Sequence, residues 1–135
     1  MPGNFIDTNV LLYFVAGDAA KAARSEQIIR DGGSISVQVL NEAANVARRK
    51  MSLSWSETRD FLSLIRALTT VHAVTLDTHD RGLNLAERYG VSIYDAMILA
   101  AALEADCDTL WSEDMQDGMR VENRLSIVNP FSAAA

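Results

Sequence analysis

Gly3-Asn4-Phe5-Ile6-Asp7-Thr8-Asn9 reads as a short strand that ends on a carboxylate, followed by residues that favour a turn or a helix start. Val10-Leu11-Leu12-Tyr13-Phe14 comes next as a buried helix or a strand, and so short an apolar run has no periodicity to decide between them. A helix is expected from roughly Asp18 to Arg30, with Gly32-Gly33 as the clearest loop signal. Ser34-Ile35-Ser36 is a brief strand. A helix from Val37 to about Lys50 follows, its Val37, Leu40, Ala44 and Ala47 recurring every three or four residues. Ser54-x-x-Glu57 is a capping box opening a helix whose Phe61, Leu62, Ile65 and Leu68 share a face. Val71 to Leu76 is the next strand. Asp77-Thr78 caps a helix to Tyr89, with Gly90 as its stop. Val91-Ser92-Ile93 leads into a helix, Tyr94 to Ala105, that is apolar nearly all round. Strands at Thr109-Leu110-Trp111 and Leu125 to Val128 complete the pattern. Strands alternating with helices imply an α/β layer architecture with a mainly parallel sheet. In such sheets ligands bind beyond the carboxyl ends of the strands.

Composition agrees with one compact domain over residues 1–135. The 135 residues are 49% apolar and 22% charged, with two prolines, which excludes disordered, collagenous and Pro-rich classes. Ala133 to Ala135 is a short Ala-rich tail, and no linker or repeat divides the chain. The lone Cys107 excludes an internal disulfide and a cysteine-based zinc site, and it suits a reducing cytoplasm. Phe5 to Ala16 is interrupted by Asp7 and lacks a basic flank, so it is a poor signal peptide. Ala96 to Leu103 is far too short to span a bilayer. The net charge of −6 argues against nucleic-acid binding through the whole surface. It leaves room for an enzyme that meets phosphates through bound cations.

Four carboxylates occupy the decisive positions. Asp7 ends the first strand, Glu42 lies in the helix after the second, Asp95 lies in the first turn of the apolar helix, and Asp114 follows Thr109-Leu110-Trp111. Each has a plain structural reading: a cap or turn for Asp7, a solvated helix charge for Glu42, a dipole-favoured aspartate for Asp95, an acidic surface turn for Asp114. Asp95 stands out because Ala96, Met97, Ile98 and Leu99 follow it, and a carboxylate at the mouth of a buried helix is costly without a partner. Gln38, Glu42, Asn45 and Arg49 form one helical stripe, which lines a polar pocket or faces water. Gathered together, four carboxylates would repel one another and call for a hard cation, Mg2+ or Mn2+, between them. Paired ions of that kind support phosphodiester cleavage.

The remaining polar residues read as structural. His72 and His79 have no partner at metal-ligand or triad spacing. Trp55 and Trp111 are expected to be packing residues rather than base-stacking platforms, and Cys107 a buried or bystander thiol. Arg48-Arg49-Lys50 complements a helix dipole by default, with RNA phosphate contact the weaker reading.

Phe5-Ile6-Asp7-Thr8-Asn9-Val10-Leu11, Val39-Leu40-Asn41-Glu42, Ser92-Ile93-Tyr94-Asp95-Ala96-Met97-Ile98-Leu99-Ala100-Ala101-Ala102 and Leu110-Trp111-Ser112-Glu113-Asp114-Met115 make an ordered set across nearly the whole chain. In that order and spacing the sequence resembles the PIN-domain ribonucleases, specifically the VapC-type toxins of toxin–antitoxin pairs. The resemblance implies a PIN-like three-layer α/β/α sandwich and a metal-dependent endoribonuclease cleaving single-stranded or loop RNA. Its acidic residues fall on Asp7, Glu42, Asp95 and Asp114, with Asp117 a further candidate. Thr8 and Ser112 match the family's small hydroxyl residues and would hold carboxylates by hydrogen bonds. The resemblance also implies a cognate antitoxin with a cationic tail and a homodimer. The apolar Phe61/Leu62/Ile65/Leu68 face gives the dimer a second motive.

Three other readings compete. A haloacid-dehalogenase phosphatase needs a second aspartate where Asn9 stands. A phosphate-receiver domain needs a late strand-end lysine, and the lysines are Lys21 and Lys50. A non-catalytic PIN-like RNA- or protein-binding module fits the fold, and the four intact carboxylates argue against it.

Overall fold

The computed structural model describes residues 3–132, so the Ala133–Ala135 tail lies outside the described residues. The chain forms β1 (Gly3–Ile6), α1 (Thr8–Leu12), α2 (Ala19–Arg30), β2 (Ser34–Ser36), α3 (Val37–Arg49), α4 (Trp55–Leu68), β3 (Thr70–His72), α5 (Leu76–Tyr89), α6 (Ile93–Glu104), β4 (Cys107–Trp111), β5 (Arg120–Val121) and β6 (Leu125–Val128). The six strands make one sheet in the order β3-β2-β1-β4-β6-β5. All pairings are parallel except β5 with β6.

Local chemistry explains most element starts. The side chains of Asp18, Ser36, Ser54 and Ser92 accept the N–H three residues on, at the N-termini of α2, α3, α4 and α6. Val10-Leu11-Leu12 is helical because Asp7 caps α1 and the run then packs as a buried turn. The expected Val71–Leu76 strand is shorter, because Thr75 rather than Asp77-Thr78 caps α5 in a reciprocal pair with Thr78. Gly90 ends α5 at φ 68°, a left-handed position that suits glycine.

The strands step outward from β1 to β2 to β3, and the next connection returns to β4 on the other side of β1. Right-handed crossovers then put α5 and α6 on the face opposite α1–α4, giving the three-layer sandwich. α6 lies on β2 and β4 with α5 packed over it, and every residue from Ala96 to Leu103 is buried. That position explains why α6 has no polar face. Phe5, Ile6, Ile35, Leu110 and Ile127 supply the sheet's share of the core.

Two expectations change here. α3 buries Val39, Ala43 and Ala47, while Val37 is exposed and Leu40 and Ala44 are half-buried. Of the α4 face, Phe61 and Ile65 enter this chain's own core and Leu62 packs against it, leaving Leu68 exposed. That packing removes the apolar-face motive for a homodimer.

Candidate functional site

The strand order reverses direction between β1 and β4, the place where parallel sheets open a crevice. β1 and β4 run in register, Ile6 beside Trp111. The pairing continues one residue further: Asp7 N–H donates to the Trp111 carbonyl at 2.9 Å, and Ser112 N–H to the Val128 carbonyl at 3.0 Å. Asp7 and Ser112 are thereby brought to one sheet edge. Asp7 Oδ1 accepts from Thr8 N–H at 2.7 Å, and Oδ2 accepts from the Ser112 hydroxyl at 2.7 Å. Ser112 Oγ in turn accepts from Met115 N–H at 3.2 Å. Asp7 is only 5% exposed. Burial raises its pKa from 3.8 to about 6, against the pull of those two hydrogen bonds, and repulsion from Glu42 and Asp114 adds to the rise.

The other carboxylates arrive from three further elements. Thr8 Oγ1–H donates to Glu42 Oε1 at 2.7 Å. Gln38 Nε2 bridges α3 to α6, donating to Glu42 Oε2 at 3.4 Å and to the Tyr94 carbonyl at 3.0 Å. Asp95 sits in the first turn of α6, where its N–H donates to Ser92 Oγ at 3.1 Å. Burial pushes its carboxyl above the ordinary range, Ser92 opposes this, and the charges of Asp114 and Glu42 reinforce it. Asp114 is exposed and accepts a hydrogen bond from Asn9 Nδ2. Asp7, Glu42, Asp95 and Asp114 line one cleft of about 250 Å³, with Thr8 and Asn9 among the walls.

All four carboxylates expected from the sequence thus meet, with Thr8 beside them and Ser112 beneath Asp7. Asp117 does not line the cleft; its Oδ1 accepts from Asn129 N–H at 2.9 Å and ties the loop before β5 to the end of β6. The sequence pattern does not mark Asn9 as a site residue, and its place two residues after Asp7 is the one signal for it. The Gln38/Glu42/Asn45 stripe takes its pocket-lining alternative: Asn45 is in the wall and Gln38 holds Glu42. Glu113 is turned to a different use. It binds the Tyr13 hydroxyl at 2.6 Å and Lys21 Nζ at 2.7 Å. Against the effect of its burial, those partners hold its carboxyl below the ordinary range.

Outside the cleft, His72 Nε2 lies 3.0 Å from Ser34 Oγ, and His79 is exposed. Burial pushes the Cys107 thiol up to about 11, which makes it inert. Trp111 packs against the core as expected. Trp55 does not: it is 60% exposed and stands apart from the core.

The donor set suits a hard cation. None of the four carboxylates pairs with a cationic side chain among the described residues, and one of them is buried. In this arrangement no group of three His, Cys, Asp or Glu side chains among the described residues forms a ready cage. Glu42 and Asp114 are instead held by Thr8, Gln38 and Asn9. No helix of the described residues is long and apolar enough to cross a membrane.

Three solved structures share this architecture. A toxin–antitoxin complex from Klebsiella pneumoniae superposes with a TM-score of 0.71 at 21% identity, covering 95% of this chain and 98% of that one. VapC20 from Mycobacterium tuberculosis, a sarcin-ricin loop cleaving toxin, gives 0.67 at 20% identity, covering 82% and 91%. FitAcB from Neisseria gonorrhoeae gives 0.62 at 14% identity, covering 94% and 97%. At such identities the likeness is one of fold. No curated protein is a significant match. The PIN domain profile matches residues 5–117, a span that holds the whole carboxylate cleft, and the chain belongs to the PIN domain family.

Proposed function

We propose that this chain is a divalent-metal-dependent endoribonuclease of one nuclease domain that cuts single-stranded or loop RNA, as the toxin of a toxin–antitoxin pair. One observation carries the reading: four carboxylates without cationic partners among the described residues share a cleft at the sheet's switch point. Asp7, Glu42, Asp95 and Asp114 would hold Mg2+ or Mn2+, and the cation when bound supplies charge that activates water and stabilises the leaving oxygen. The chain's own groups supply the rest. Ser112 fixes Asp7 through Oδ2, and Thr8 fixes Glu42 through Oε1. Asp95, in the first turn of α6 and in the cleft wall, would position the attacking water or assist as base. Asn9 steadies Asp114 at the rim.

RNA as substrate is supported by the fold likeness to VapC20, and an antitoxin partner by the likeness to toxin–antitoxin complexes. A homodimer working in the cytoplasm completes the reading. The test is cleavage of a labelled single-stranded RNA in Mg2+ or Mn2+. Cutting is expected to stop on chelation. It should fall roughly a hundredfold in Asp7→Asn and Asp95→Asn, the scale of losing one charged-state stabiliser. Cleavage that survives chelation, or wild-type rates in both variants at limiting metal, overturns the assignment.

A further inference from the structure

Charge is unevenly spread along this acidic chain. From Arg48 to Arg66 there are five cations (Arg48, Arg49, Lys50, Arg59 and Arg66) against two acids, Glu57 and Asp60, in a protein of net charge −6. The ion pairs among the described residues use Lys21, Arg30, Arg81 and Arg124, so none of those five cations is paired with a carboxylate there. The cluster spans the end of α3, the following loop and α4. The helix dipoles account for Arg48 and Arg49 at the C-terminus of α3 and for Arg66 in the last turn of α4, while Arg59 adds like charge without such a return.

Trp55 sits in the middle of this patch. Its 60% exposure contrasts with the buried aromatic residues of the core. The Arg48 guanidinium carbon lies 4.3 Å from its ring centroid and that of Arg59 5.9 Å away. Arg48 is itself held by the Leu53 carbonyl at 2.7 Å, which fixes the stacked pair at the α3–α4 corner. A flat aromatic face flanked by guanidinium groups suits an unpaired base beside its phosphates.

One stripe of α3 leads from the cleft towards the basic corner. Glu42 and Asn45 line the cleft from α3, and Arg49 follows them at the same three-or-four spacing. Seven residues of helix separate Glu42 from Arg49, about 10 Å along the axis. A strand with its scissile phosphate at the carboxylates would therefore run along α3 towards Arg49 and Trp55.

We propose that the α3–α4 corner is the RNA-holding surface of this nuclease, with Trp55 stacking on an unpaired base and Arg49 and Lys50 meeting flanking phosphates. The inference rests on the ribonuclease reading above and names where the substrate lies. Charge favours RNA over the proposed antitoxin tail, because a cationic tail would be repelled here.

The test separates binding from cutting. Affinity for a short single-stranded oligoribonucleotide is measured by fluorescence anisotropy with metal chelated, and cleavage of the same RNA is measured in Mg2+. Trp55→Ala should weaken binding roughly tenfold. Trp55→Phe should keep most of the affinity but lose the quenching of tryptophan emission on binding. Arg49→Ala should lower the slope of log affinity against log salt by about one. In cleavage, both Ala variants should raise KM and leave kcat near wild type. Affinity and salt slope unchanged in Trp55→Ala and Arg49→Ala overturn this surface and leave the nuclease reading standing. Loss of affinity for a protein partner, with RNA binding intact, makes the corner a protein-docking face and likewise overturns it. RNA bound through Trp55 but never cut supports the surface and sinks the nuclease.

Discussion

Asp7 concentrates the tension in the molecule. It is buried, it caps α1, it accepts two hydrogen bonds of 2.7 Å, and no cationic side chain among the described residues balances it. Its pKa of about 6, against 3.8 ordinarily, fixes the sign of a pH effect on the metal-free protein. Between those values the folded state keeps a proton that the unfolded chain has released. Stability from this residue is therefore present below about pH 4 and lost as pH rises to about 6, by roughly 3 kcal/mol. Asp7→Asn removes the titration while keeping an oxygen for Thr8 N–H. Urea denaturation of the chelated proteins at several pH values should show the variant gaining on wild type across that window. Parallel stability profiles would show that Asp7 carries no such burden. The same variant lowers cleavage roughly a hundredfold under the proposed function, so here stability and activity move in opposite directions.

Among the helices, α5 and α6 carry the most demanding packing, and it bears on the site because α6 presents Asp95. A Cβ on Gly82 of α5 would lie 2.5 Å from Met97 Sδ and 2.8 Å from its methyl carbon. Met97 is buried, so its thioether has little room to retreat. Gly82→Ala should thus cost about 1–2 kcal/mol through overpacking, despite alanine's better helix propensity. In a Met97→Ala background the clash is gone, and the same change should stabilise by up to about 1 kcal/mol. Equal effects in both backgrounds, measured by denaturant titration, would refute this account of the interface. Elements of this kind were legible to different depths. The capping box at Ser54, the stop at Gly90 and the unbroken apolar run of α6 announce their helices, because each signal is local. The short Val10–Leu12 turn was ambiguous, since its helical state depends on the Asp7 cap. β5 was invisible: two residues, Arg120 and Val121, pair with β6 only because Glu122 and Asn123 take positive φ, where a glycine would have signalled the turn. The sequence spacing sets the buried face of α3 about one residue out of phase, because Leu40 and Ala44 face α4 and Val39 and Ala43 face the core. For the site, the strand-end rule was enough to gather Asp7, Glu42, Asp95 and Asp114. Asp117 is only a further candidate in the sequence, and the hairpin that turns it towards Asn129 is a tertiary feature.

At the scale of the whole molecule, charge is divided between an acidic cleft and a basic corner, and the division determines what kind of partner can silence the protein. Under the proposed function the chain would attack its host's RNA and would have to be restrained, and the cleft offers the means. A cationic side chain entering it would meet Asp7, Glu42 and Asp95, relieve their mutual repulsion and occupy the place a cation would take. Arg suits this better than Lys, because its planar fork binds carboxylates in pairs. Exposed ion pairs alone contribute little, so the rest of the partner's tail must bring apolar anchors. Exposed Val15 and Leu64, beside Phe14 and Phe61 at the α1–α4 junction, offer such a surface close to the cleft's first helix. The comparison uses the cognate antitoxin, intact and with its tail Arg residues changed to Ala. Inhibition of RNA cleavage should weaken roughly a hundredfold in the altered partner, the scale of losing one buried charged contact. Binding should weaken less, because the apolar anchors remain. Light scattering of the same samples reads the assembly: the free chain should give twice its 14.8 kDa mass, and a one-chain mass rejects the homodimer. If the altered partner inhibits as well as the intact one, restraint acts through some surface other than the carboxylates. The acidic cleft would then serve catalysis alone.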